Sequence, residues 1–207
     1  MTAPPRLSRR ENTVLFVLIV CMAALEVAMQ ASDFLGLFSG HLRQTVYDYG
    51  GFWPGLLRDW QPNYLIQPYL MFLTYGFVHG NILHLIVNMF TAWSVGRVVL
   101  DRRGVSGFLQ IWVASILGGG IGYALLADGL QPMVGASGAL FGLIGALFFW
   151  EYRDRRAAAA SLRPLAWGLV GFLILNLLLW WLMDGHLAWE AHLGGFVAGA
   201  ALATGFD

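Results

Sequence analysis

Six long apolar stretches restrict how this chain can fold more than any other feature. They run over about residues 13–31, 82–100, 108–127, 136–150, 165–183 and 188–206. Their lengths approach the ~20 residues that an α-helix needs to cross the hydrocarbon core of a bilayer. The residues are 58% apolar and only 12% charged, which is unusual for a soluble domain. The sequence therefore predicts an all-α polytopic membrane protein with six transmembrane helices.

The arginines predict how these helices are oriented. All 12 basic residues are Arg. Ten of them lie in the N-terminal tail, near the end of the second stretch (Arg97) or in the second and fourth connections, and only Arg43 and Arg58 lie elsewhere. Segments rich in basic residues stay on the cytoplasmic side of a membrane. Both termini are therefore predicted to be cytoplasmic, and the compact six-span form points to a bacterial inner membrane.

Two segments and one charged residue remain outside this pattern. Residues 1–12 contain two prolines and three arginines and predict a disordered tail, which precedes a six-span domain over 13–207. Residues 32–68 are rich in Gly, Trp and other aromatic residues, which favours a loop lying in the membrane interface. Glu26 lies inside the first apolar stretch, where an acid needs a partner or an aqueous cavity. The sequence alone identifies no partner for it.

Polar residues interrupt three of the apolar stretches at a similar depth. Ser137 lies at the start of the fourth stretch, His192 near the start of the sixth, and His84 and Asn88 near the start of the second. The predicted topology places all four just below the outer surface. Apolar helix packing gives no reason for polar residues from three segments to share one layer, whereas an active site does.

The three segments together resemble the rhomboid family of intramembrane serine proteases. The resemblance extends from about residue 69 to the C-terminus and rests on three motifs in family order: residues 79–88 (HGNILHLIVN), 135–138 (GASG) and 191–195 (AHLGG). It implies a six-helix rhomboid core with an interfacial first loop. It also implies an endopeptidase that cuts single-span membrane proteins near the outer end of their transmembrane segment. Leu100 departs from the Glu that many rhomboids have there, and their Trp-Arg pair is not evident in the first loop.

Ser137 and His192 are the expected catalytic pair. A serine hydroxyl near neutral pH is a weak nucleophile and needs an adjacent base to take its proton. Imidazole is suited to this task because it titrates near the working pH. Glu190 points to a different helix face from His192, so no carboxylate is predicted as a third member. The resemblance likewise implies a Ser-His dyad.

His84 and Asn88 are the expected oxyanion donors. Their i, i+4 spacing places them on one helix face, and both side chains can donate hydrogen bonds. In rhomboids the matching residues, with a backbone N–H at the nucleophile, stabilise the negative charge that develops on the substrate carbonyl. The alternative is a buried polar pair whose members satisfy each other between helices.

Several further residues are expected to support this site. They are Gly135, Gly138, Phe141, Gly195, Gly199 and His79. The glycines that follow Ser137 and His192 have helical spacing, which lets the fourth and sixth spans approach closely. The glycine before the serine is expected to give an irregular helix entry. The ring of Phe141 is expected to pack beneath the imidazole of His192. His79 is expected to have a structural or water-organising role rather than a catalytic one.

Other function classes fit these residues less well. The net charge of zero gives no general attraction to nucleic acid. The H-E-x-x-H motif of metalloproteases is absent, and no metal or cofactor is expected. A rhomboid-like protein that binds membrane clients without cutting them is the alternative, although such members typically lose the serine or histidine. A small transporter would be expected to show internal repeats with interrupted spans. The expected partners are transmembrane protein substrates and the lipid bilayer.

Overall fold

The part of the chain described here, residues 7–182 and 187–206 of a computed structural model, is almost entirely helical. Its α-helices are α1 (Arg9–Leu35), α2 (Leu42–Gly50), α3 (Gln67–Thr74), α4 (Ile82–Leu126), α5 (Ser137–Ala157), α6 (Arg163–Leu182) and α7 (Trp189–Ala203). Short 3-10 helices lie at Leu37–Gly40, Pro54–Leu57 and Tyr75–Phe77. The predicted all-α class is confirmed.

The disordered tail predicted for residues 1–12 is wrong for residues 9–12, which form the first turn of α1. Ser8 and Glu11 make a capping box: the Glu11 N–H donates to Ser8 Oγ at 3.3 Å, and the Ser8 N–H donates to Glu11 Oε2 at 2.7 Å. Two otherwise free donors are thereby satisfied, which starts the helix earlier than its charges suggest. Residues 1–6 of the predicted tail lie outside the described residues.

Helix α4 contains both the second and the third predicted stretches. Gly104 interrupts it, because its φ of 64° and ψ of −173° are not helical. A positive φ of this kind favours glycine. Residues 82–103 and 105–126 are therefore two helices joined at a bend. They pack against each other, since a Cβ on Gly96 would lie 3.3 Å from the ring of Phe108.

Not every helix is long enough to cross a membrane on its own. Among the described residues, Arg9–Leu35 and Ile82–Leu126 are sufficiently long and apolar, and Arg163–Leu178 is a shorter apolar helix. Large apolar side chains lie exposed on these helices, including Phe16, Phe90 and Leu177. Helices lie at each of the six predicted stretches, although residue 183 is outside the described part. The number of spans stays a prediction.

The segment at residues 32–68, predicted as a loop, contains regular structure. Helix α1 continues to Leu35, where Gly36 with φ 66° ends it, and α2 follows. The carbonyl oxygen of Asp48 at the end of α2 accepts hydrogen bonds from Asn63 and Gln67, at 2.9 and 2.5 Å. These contacts join α2 to the start of α3. Whether the segment lies in the membrane interface stays a prediction.

Glu26 has a partner in this segment. Its side chain is fully buried, and its two carboxylate oxygens lie 3.0 and 3.2 Å from the guanidinium nitrogens of Arg43. The same guanidinium contacts Asp33 at 2.6 Å and donates to the carbonyl oxygens of His79 and Gly80 at 3.2 and 3.3 Å. Arg43 therefore joins α1 to the residues just before α4.

Glycines allow α4, α5 and α7 to pack backbone against backbone. A Cβ on Gly195 would overlap the carbonyl oxygen of Gly138, and a Cβ on Gly199 would overlap that of Gly142. Gly194 makes an equally close approach to the second half of α4. Small residues permit such contacts between helices. Helices α5 and α7 are consequently in close contact at the glycines that follow Ser137 and His192 in the sequence.

Candidate active site

Ser137 and His192 contact each other although they are far apart in the sequence. Ser137 is the first residue of α5, and His192 lies in the first turn of α7. The Nε2 atom of His192 is 2.9 Å from the Oγ atom of Ser137, and His192 is only 5% exposed. A hydroxyl hydrogen-bonded to an imidazole nitrogen is the arrangement by which a base activates a serine.

The other ring nitrogen of His192 contacts Asn176 on α6, a residue outside the three sequence motifs. The Nδ1 atom of His192 lies 2.7 Å from Asn176 Oδ1. The amide nitrogen of Asn176 donates to the carbonyl oxygen of Phe172 at 3.2 Å, one turn earlier on the same helix. A single signal in the sequence indicates this residue: it is a lone amide inside an apolar stretch, and polar groups at such positions tend to be functional.

An aromatic ring stacks on the imidazole of His192. The ring of Phe141, one turn after Ser137, is stacked on it, with centroids 3.8 Å apart and an interplanar angle of 17°. Phe172 of α6 contacts the ring of Phe141, with centroids 4.7 Å apart. This stacking limits rotation of the imidazole, which leaves its two nitrogens directed at Ser137 and Asn176.

The backbone before Ser137 passes directly beside His84. Gly135 has a φ of 133°, which favours glycine, and its N–H donates to the carbonyl oxygen of Tyr75 at 2.9 Å. A Cβ at Gly135 would lie 2.9 Å from His84 Nε2 and 3.7 Å from Ser137 Oγ. The imidazole of His84 and the hydroxyl of Ser137 therefore border the same small space, which only a glycine leaves open.

Asn88 lies one turn after His84 on α4 and is 5% exposed. Its Nδ2 atom is buried and has no hydrogen-bond partner among the described residues. An unpaired buried donor costs free energy, so native structures contain few of them. In the alternative reading, His84 and Asn88 are a buried polar pair whose hydrogen bonds are satisfied within the protein. The Nδ2 atom of Asn88 does not meet that requirement among the described residues.

His79 packs against His84. The two imidazole rings meet edge to face, with centroids 5.2 Å apart, and the carbonyl oxygen of His79 accepts a hydrogen bond from Arg43. Its structural role stays a prediction. Within residues 7–182 and 187–206, no group of three or more His, Cys, Asp or Glu side chains could hold a metal ion.

Comparisons with known proteins agree on one family. Residues 67–206 match the family model of the Rhomboid domain. The chain is 33% identical over 130 residues to the Rhomboid protease GluP of Bacillus subtilis, a match that covers 60% of this chain and 24% of that protein. It is 33% identical over 130 residues to the RHOMBOID-like protein 5 of Arabidopsis thaliana, covering 59% and 39%. It is 32% identical over 140 residues to the mitochondrial Rhomboid protein 1 of Saccharomyces cerevisiae, covering 60% and 38%. The matched part is less than half the length of each relative.

Proposed function

Because the chain belongs to the rhomboid family, we propose that it is an intramembrane serine endopeptidase in which Ser137 is the nucleophile and His192 the general base. The observation that carries this proposal is the 2.9 Å contact between Ser137 Oγ and His192 Nε2. A rhomboid-like protein that only binds membrane clients has no need of this contact.

The geometry around His192 supports each proton transfer of peptide hydrolysis. Its Nε2 atom takes the hydroxyl proton as Ser137 Oγ attacks the carbonyl carbon of the substrate, and then gives this proton to the leaving amine. The same nitrogen next takes a proton from a water molecule as the water oxygen attacks the carbonyl carbon of the acyl-enzyme. It then returns this proton to Ser137 Oγ as the ester bond breaks and the second product is released. Stacking on Phe141 keeps the imidazole in one orientation during these steps.

We assign the stabilisation of the oxyanion to His84, Asn88 and the backbone at Ser137. The Nδ1 atom of His84 accepts from the N–H of Gly80 at 3.5 Å, so its Nε2 carries a proton and borders the space at Gly135. Asn88 offers a buried donor that has no partner among the described residues. The first N–H groups of α5 have no acceptors within their own helix, and no side chain caps them in the part of the chain that the structure describes. Each such donor is typically worth about 3–4 kcal/mol in the transition state.

The proposed site lies at one end of the helix bundle. Ser137, His192 and His84 are all found in the first turn of their helices, α5, α7 and α4. We propose that residues 13–207 form a six-span domain of a bacterial inner-membrane protein, with both termini in the cytoplasm and this end toward the outer side. Its substrates would be single-span membrane proteins cut near the outer end of their transmembrane segment.

The test is cleavage of a single-span membrane protein by the detergent-purified chain, read on a gel. We expect wild-type protein to cleave it, and Ser137→Ala and His192→Ala to be inactive. A fluorophosphonate, which reacts with activated serines, should label wild-type protein but not His192→Ala. The matched control is Ser115→Ala, which removes the buried hydroxyl of a serine on α4 and should keep activity. Cleavage by Ser137→Ala, or equal labelling with and without His192, would contradict the assignment.

A further inference from the structure

We propose that Asn176 is a positioning residue that holds His192 in the tautomer required of a general base, an inference that rests on the proposed protease function. Its Oδ1 atom lies 2.7 Å from Nδ1 of His192, on the opposite side of the ring from the nitrogen that contacts Ser137. The dyad thus has a third, neutral member, contributed by α6.

The argument begins with the hydrogen-bonding capacity of a neutral imidazole. One of its nitrogens carries a proton and the other a lone pair. An amide oxygen only accepts hydrogen bonds, so Nδ1 of His192 must carry the proton when it faces Asn176 Oδ1. The lone pair then lies on Nε2, which is the nitrogen that faces the hydroxyl of Ser137. The opposite tautomer would direct an N–H at the hydroxyl and could not take its proton.

A second contact fixes which end of the amide faces the histidine. The Nδ2 atom of Asn176 donates to the carbonyl oxygen of Phe172 at 3.2 Å. A carbonyl oxygen cannot donate, so reversing the amide would leave two oxygens facing each other. Oδ1 is therefore the atom that faces His192. The hydrogen-bonding pattern distinguishes it from Nδ2, which has nearly the same size and shape.

The packing of α6 against α5 and α7 does not require the amide of Asn176. Phe172 of α6 already packs against Phe141 and Phe148 of α5 and Phe196 of α7, with centroids 4.7, 6.4 and 5.9 Å apart. A leucine at position 176 would extend such contacts without placing a polar group in an apolar helix. The asparagine instead accepts a hydrogen bond from the imidazole, and it also stabilises the imidazolium that forms when the serine proton is transferred.

An uncharged partner also suits this depth. A buried carboxylate would carry a desolvation penalty that an amide avoids. The amide still selects the tautomer, because selection requires only an acceptor that faces Nδ1. This explains how the site dispenses with the acid of a Ser-His-Asp triad while keeping its geometric role.

The experiment measures the tautomer directly and turnover separately. In protein labelled with ¹⁵N-histidine, the ring nitrogens of His192 are assigned from the spectrum of His192→Gln. We expect the Nδ1–H tautomer in the wild type and in Asn176→Asp, whose carboxylate also accepts from Nδ1. We expect loss of that tautomer in Asn176→Ala. For cleavage, Asn176→Ala should lower kcat about 10- to 100-fold with KM within about twofold. Asn176→Asp should recover part of that loss.

Leu177→Ala is the matched control, since it trims the neighbouring exposed residue of α6 and should change neither readout. If Asn176→Ala does not fold, Asn176→Leu replaces it with an apolar residue of similar size. An unchanged tautomer in the folded variant overturns the proposal, and so does a loss of kcat that only follows the thermal unfolding midpoint. An Asn176-dependent tautomer in a protein that cleaves nothing supports the positioning role while the protease function fails.

Discussion

Replacing Gly195 with alanine tests whether the close packing of α5 and α7 determines the distance between Ser137 and His192. A Cβ on Gly195 would overlap the carbonyl oxygen of Gly138 and lie 2.8 Å from its carbonyl carbon. Optimal contacts between carbon atoms begin near ~3.5 Å. The two helices must therefore separate by about 0.7 Å to relieve the contact with that carbon alone, and by more to clear the oxygen.

This separation acts almost directly on the catalytic pair. Gly138 is bonded to Ser137, and Gly195 lies one turn after His192 on α7. Adding the shift to the present Oγ–Nε2 distance of 2.9 Å gives a distance at or beyond the ~3.5 Å limit of a hydrogen bond. Displacements of about 1 Å can lower the rate about 100-fold. We expect a comparable fall in kcat, and a loss of about 1–3 kcal/mol in the free energy of unfolding from overpacking.

The assay compares initial rates of substrate cleavage in detergent with the thermal unfolding midpoint of each variant. Gly171→Ala on α6 is the matched control, because a Cβ there would meet no atom within 4 Å. It should keep wild-type activity and stability. If Gly195→Ala is as active as Gly171→Ala, the glycine contact does not determine the catalytic geometry, and the reasoning is refuted.

Two further predictions address the oxyanion and the topology. Asn88→Ala should lower kcat about 10²- to 10³-fold, because it removes one donor to the developing charge, while substrate binding should change much less. Full turnover, or a loss that only follows stability, would make Asn88 structural. In a Cys21→Ser background, Gly129→Cys should react with an impermeant thiol reagent in intact cells and Ser106→Cys should not, since arginine placement predicts opposite sides. Both positions are exposed on the protein, and the reverse labelling pattern would place the site toward the cytoplasm.

Local patterns and motifs in the sequence account for much of this structure. Apolar stretches of sufficient length predict helices wherever they occur, and the motifs around Ser137 and His192 suggest a contact that no local rule could provide. The sequence marks Asn176 as a lone amide in an apolar stretch, but its partner could not be predicted, because that depends on how α6 packs against the other helices. The same limit applies to Glu26, whose carboxylate meets Arg43 only after the chain turns back at the end of α1. Helix α2 was missed because its nine residues are too short for a clear periodic pattern.

The Glu26–Arg43 ion pair also constrains the order in which the protein is assembled. Synthesis proceeds from the N-terminus, so α1 is complete before the guanidinium that neutralises its acid has been made. An uncompensated charge can cost about 3 kcal/mol near the centre of a bilayer. We therefore expect helix α1 to be held more firmly once the following segment folds onto it. A nascent chain that ends before Arg43 would be held less firmly in the membrane than one that extends past it.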